Sequence, residues 1–139
     1  MPVSDLRSQI VRDEGVRLMP YKDSEGLLTI GVGRCLDRVG ISMAEADMML
    51  DNDISRATAS VIARIPWAQG LEEVRRGALV NFAFNMGIAG LLGFQKMLAA
   101  MERGAWDEAA RELLDSKYAG QVGVRAERLA RQLVTGEWQ

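Results

Sequence analysis

The chain has 139 residues, of which 48% are hydrophobic and 26% charged, and its formal net charge is -2. That is an ordinary globular composition for one domain or two small lobes, without the field that would draw nucleic acid or an anionic surface. With no histidine and a single cysteine, histidine triads and dyads, His-ligated zinc and an internal disulfide are all excluded, which leaves acid–base chemistry near neutral pH to carboxyl groups or shifted lysines.

The opening MPVSDLRSQI carries charges at Asp5 and Arg7 and has no apolar h-region, so no cleavable signal peptide is expected. No stretch approaches the roughly 18 uncharged apolar residues of a membrane span. Ser4 as cap, Leu6 and Ile10 on one face and Gly15 at the end predict a short amphipathic helix. Turn chemistry at Asp23-Ser24-Glu25-Gly26 and the β-prone run Leu27 to Val32 predict a hairpin or three-stranded sheet over about 18–33. Ser42-Met43-Ala44-Glu45 spells a capping box, and Ala46, Leu50, Ile54, Ala57 and Val61 continue it as the longest helix, which Pro66 ends. Helices are predicted over Leu71–Met86 (stopped at Gly87), Phe94–Arg103, Trp106–Leu114 and Arg125–Val134. The expected core is Leu79, Phe82, Met86, Phe94, Leu98, Met101, Trp106, Leu113, Leu129 and Leu133. The fold class is therefore α+β, a small N-terminal sheet lobe joined by a long helix to an all-helical C-terminal lobe. The sublobes are placed at about 13–42, 43–65 and 66–139, with residues 1–12 packing on the helical lobe.

Two carboxyl groups stand in different local settings. Glu14 closes the first helix, and Asp23 opens the turn nine residues later. Such a pair can divide into a general acid and a base or stabiliser. Thr29, on the returning strand, offers a hydroxyl that can hold water. Spacing alone does not separate this pair from two solvated surface charges.

The segment EGVRLMPYKDSEGLLTIGVG resembles the active-site segment of the phage-type lysozymes, the muramidase family typified by the T-even phages. The family pattern of Glu-Gly, Tyr-x-Asp and Gly-x-x-Thr-x-Gly-x-Gly is filled by Glu14, Gly15, Tyr21, Asp23, Gly26, Thr29, Gly31 and Gly33. RRGALVNFAFNMGIAGLLGF and AWDEAARELLDSKYAGQVGVRAERLARQLVTGEW are similar to the family's helical lobe, so the likeness spans nearly the whole chain.

The resemblance implies an endolysin that hydrolyses, with inversion, the β-1,4 bond between N-acetylmuramic acid and N-acetylglucosamine in peptidoglycan. It implies Glu14 as the general acid, Asp23 as the carboxylate that orients water or stabilises the anomeric centre, and Thr29 as a holder of that water. The two carboxyl groups are expected to face one groove between the lobes. Arg125 matches the basic residue that pairs with the acid. Arg34 replaces a histidine of the T-even pattern, and alignment gives it Asp53 as an ion-pair partner. Arg34, Cys35, Phe84, Met97 and Glu112 fall at substrate-contact positions, although Met97 and Glu112 replace smaller polar residues. The connection Leu36 to Ile41 is shorter than in the T-even enzyme.

No cofactor or metal is implied. Peptidoglycan is the expected partner of a monomer that associates stably with neither nucleic acid nor membrane. It is expected in the host cytoplasm until lysis and then on the cell wall. A catalytically silent peptidoglycan-binding module on the same fold is the alternative, which the presence of both Glu14 and Asp23 disfavours. Trp67, Trp106 and Trp138 read as core residues rather than sugar platforms, and Arg125, Arg128 and Arg131 as a solvated row.

Overall fold

A computed structural model describes Pro2 and residues 4–139. Its elements in chain order are α1 (Leu6–Glu14), β1 (Arg17–Lys22), β2 (Leu28–Gly31), β3 (Arg34–Cys35), α2 (Met43–Arg64), a 3-10 turn (Pro66–Gly70), α3 (Glu73–Leu92), α4 (Gln95–Glu102), α5 (Trp106–Leu114), α6 (Lys117–Val122) and α7 (Val124–Thr135). The α+β class holds. The chain divides into two compact units, Met1–Met49 and Leu50–Gln139, and the boundary falls inside α2.

In the first unit, α1 is capped by Asp5 rather than Ser4: the Asp5 carboxylate accepts the Ser8 N–H at 2.7 Å. The shorter Ser4 side chain instead hydrogen-bonds to Asp5. The sheet is antiparallel in the order β1-β2-β3, with Tyr21 opposite Thr29 and Thr29 opposite Cys35. Pro20 lies within β1, and the pairing to β2 is irregular between Arg17 and Tyr21. β1 is an edge strand, where a residue lacking an N–H is tolerated. The capping box at the start of α2 forms as expected. Ser42 Oγ accepts the Glu45 N–H at 3.1 Å, and Glu45 Oε1 accepts the Ser42 N–H at 2.8 Å.

The second unit contains the hydrophobic core. Leu79, Phe82, Met101, Leu113, Leu129 and Leu133 are buried as expected, and Met86, Phe94, Leu98 and Trp106 pack partly buried against them. Leu91, Met97 and Tyr118 are buried with them, Tyr118 meeting Phe82 at a tilt and Phe94 edge-on at ring distances of 5.6 and 5.9 Å. α3 runs beyond the expected stop. Gly87 nevertheless breaks it, with φ 79° and ψ 162° between two helical stretches. α6 is an additional element: Ser116 caps it by accepting the Ala119 N–H at 3.2 Å.

The start of α3 is fastened to the end of α7. Arg75 donates from Nε to the Leu133 carbonyl at 2.7 Å and from Nη2 to the Val134 carbonyl at 3.0 Å, while its guanidinium lies 4.2 Å from the centre of the Trp106 ring. Gln132 Nε2 donates to the Val74 carbonyl at 2.7 Å.

Candidate active site

Glu14 is the last residue of α1, and the chain turns at Gly15, whose N–H reaches back to the Val11 carbonyl at 2.8 Å. The Glu14 side chain is exposed, and its carboxyl group lies against the backbone of Gly33 in the β2–β3 turn. It accepts no side-chain hydrogen bond among the described residues.

Asp23 is held by its own turn. Its Oδ1 accepts the N–H of Glu25 at 2.8 Å and of Leu27 at 2.9 Å, while its backbone N–H donates to the Leu27 carbonyl at 2.9 Å. This is the Asx geometry that favours aspartate at such a position. Its Oδ2 has no hydrogen-bond partner among the described residues. The carboxylate is thus anchored by one oxygen and available through the other.

Thr29, on the central strand, is 4% exposed, and its hydroxyl donates to the Leu27 carbonyl at 3.1 Å. Its proton is engaged, so it can meet a water only as an acceptor. Cys35 is a half-buried free thiol on β3, paired with Thr29. Tyr21 of the same motif lies beneath the Arg17 guanidinium, 4.8 Å from ring centre to Cζ.

The expected Arg34–Asp53 ion pair is corrected. Arg34 pairs with Glu45, with Nη1 2.9 Å from Oε1 and Nη2 2.9 Å from Oε2, and Nη1 also donates to the Gly40 carbonyl at 3.0 Å. Asp53 pairs with Arg56, one turn along α2. The physical reason is reach. Asp53 lies eight residues beyond Glu45 on the same helix, a rise of about 12 Å. Glu45, in the first turn of α2, is already oriented by Ser42 at the end of the short connection from β3. The paired guanidinium first, and the Ser42 N–H second, hold the Glu45 carboxyl down at about 2.

In the second unit, Arg125 donates from Nε and Nη2 to Asn81 Oδ1 at 3.2 and 2.7 Å. Asn81, Arg125 and the half-exposed Phe84 line an open hollow of about 550 Å³ together with Leu50, Ile54 and Trp138. Phe84 also borders a second hollow with Asp53. Met97 and Glu112 come together at a third, beside Lys96 and Ser116. Met97 itself is only 1% exposed and belongs to the core, because its face of α4 turns inward with Ala100 and Met101. Sequence reasoning missed Glu45 as the partner of Arg34, and it missed Asn81. The capping box gave a signal for Glu45, and no local pattern pointed to Asn81.

No group of three or more His, Cys, Asp or Glu side chains gathers as a metal site among the described residues. A small sheet unit that presents one unengaged carboxyl and one half-engaged carboxylate, within an α+β chain, can support general acid–base chemistry by carboxyl groups alone. A family model described as phage lysozyme matches residues 11–132. The chain is 28% identical to "Probable T4-type lysozyme 1" of Dictyostelium discoideum, the alignment covering 96% of each. It is 30% identical to the "Pre-baseplate central spike protein Gp5" of Enterobacteria phage T4, over 97% of this chain and 28% of that protein. It is also 30% identical to the "SAR-endolysin" of Escherichia phage Mu, over 76% of this chain and 64% of that one. The chain belongs to the phage lysozyme family, and its function is of the lysozyme and endolysin type.

Proposed function

We propose that the protein is a muramidase that hydrolyses the β-1,4 bond between N-acetylmuramic acid and N-acetylglucosamine of peptidoglycan, with inversion, and serves as an endolysin in host lysis. The observation that carries this reading is the division of labour at Asp23: Oδ1 is fixed by two backbone N–H groups, while Oδ2 is unengaged. Glu14 donates its proton to the leaving glycosidic oxygen. The bond breaks towards an oxocarbenium-like centre, and Asp23 Oδ2 takes a proton from the water that attacks the opposite face. Thr29 Oγ1 accepts from the water's second hydrogen and so turns a lone pair towards carbon. Glu14 ends as the carboxylate and Asp23 as the acid, and solvent restores both.

The test is clearing of a peptidoglycan suspension. Glu14→Gln, which cannot donate the proton, should lose at least about a hundredfold in rate while remaining folded. The first-formed product should carry the inverted anomer in proton NMR. Full lysis by a folded Glu14→Gln protein, or retention of configuration, would overturn the reading.

A further inference from the structure

Gly33 differs from its neighbouring glycines in one respect. Gly26, Gly31 and Gly33 all have positive φ, between 69° and 79°, a sufficient reason for glycine at each. At Gly26 and Gly31 an added Cβ would meet nothing within 4 Å. At Gly33 it would lie 2.9 Å from Oε2 and 3.0 Å from Cδ of Glu14. The space that a side chain would fill at Gly33 is the space in which the Glu14 carboxyl group rests. The residue that follows, Arg34, is tied to the Gly40 carbonyl and to Glu45, which anchors this stretch of backbone.

We infer that Gly33 is a positioning residue: its bare backbone is the wall against which the Glu14 carboxyl group is set. The inference rests on the reading of Glu14 as the acid. Because Glu14 is exposed and flexible, a side chain at Gly33 displaces the carboxyl group at little cost to the fold. The damage therefore falls on the reaction rather than on stability, and misplacing a reacting group by about 1 Å can cost on the order of a hundredfold in rate.

Gly31 provides an internal control, since its φ of 71° nearly equals the 69° of Gly33. Asparagine tolerates this region better than other side chains, so Gly31→Asn and Gly33→Asn carry similar backbone strain and differ in the contact with Glu14. On soluble peptidoglycan fragments, Gly31→Asn should stay within about threefold of the parent. Gly33→Asn should lose between about tenfold and a hundredfold in kcat with KM unchanged. In protein labelled with carbon-13, the Glu14 carboxyl resonance should move in Gly33→Asn and stay in place in Gly31→Asn. If Gly33→Asn does not fold, Gly33→Ala against Gly31→Ala carries the same comparison. Equal kcat in the two variants, or an unmoved Glu14 resonance, would overturn the inference. Failure of the functional reading looks different: the parent would not hydrolyse peptidoglycan, or Glu14→Gln would be as active as the parent, while the carboxyl resonance still decides the contact.

Discussion

Arg34 closes its guanidinium fork on the carboxylate of Glu45, both N–O distances being 2.9 Å, and so ties β3 to the first turn of α2. A bidentate pair of this kind is the strong form of a charge-assisted hydrogen bond. Its pH dependence belongs to Glu45, because arginine stays charged throughout. The folded carboxyl titrates at about 2 against an ordinary 4.5. A depressed carboxylate contributes stability that is present above its unfolded value and is lost as pH falls through the folded one. In Arg34→Ala the Glu45 midpoint, followed by carboxyl carbon NMR, should rise from about 2 towards 4.5 without reaching it, since the Ser42 N–H remains. The difference in Tm between parent and variant should be constant between about pH 6 and 9 and should shrink between about pH 4 and 2. An unmoved Glu45 midpoint would show that the pair does not form in solution.

Asp23 has a structural and a chemical duty, and two substitutions separate them. Asp23→Asn keeps an Oδ1 acceptor for the Glu25 and Leu27 N–H groups and removes the charge. It should keep Tm within about 2 °C of the parent and lose most of the activity, about a hundredfold. Asp23→Ala leaves both N–H groups without their acceptor and should cost about 1–2 kcal/mol in urea denaturation as well. Equal stability of the two variants would rule out the anchoring role of Oδ1.

Tyr118 is buried between Phe82 and Phe94, and its hydroxyl has no hydrogen-bond partner among the described residues. A buried hydroxyl left unsatisfied costs about 1–3 kcal/mol. Tyr118→Phe keeps the ring contacts and should raise stability by about 1 kcal/mol, read as a higher urea midpoint at unchanged slope. Burial first, opposed by the nearby Arg125 charge, pushes the phenol up from 10.0. A raised folded value makes the contribution complete below the unfolded value and lost as pH rises through the folded one. The advantage of Tyr118→Phe should therefore widen above about pH 10. A destabilised Tyr118→Phe would mean that the hydroxyl is satisfied.

The features legible in the sequence were those with local causes. Ser42 and Glu45 spell a cap that forms through two short bonds. The turn at Asp23 follows from aspartate chemistry, and Gly87 interrupts α3 where its backbone requires it. Less legible were relationships set by reach between elements. Alignment assigned Arg34 to Asp53, whereas the short connection after β3 brings Gly40 and Glu45 to the guanidinium first. α6 has six residues with Gly120 among them, too few to repeat an apolar stripe, and Ser116 was its one local signal. Met97 matches a substrate-contact position of the family, yet tertiary packing turns it into the core.

The bonds that fasten α3 to α7 join residues 58 and 59 positions apart. On a ribosome adding roughly 5–20 residues each second, that separation is a wait of roughly 3–12 s. Through most of it, Leu79 and Phe82 exist without Leu129 and Leu133, the α7 residues that share their core. Until α7 is made, only the elements that precede it can cover them. Vulnerability to aggregation is thus concentrated in the seconds of synthesis, before α7 emerges to finish the core.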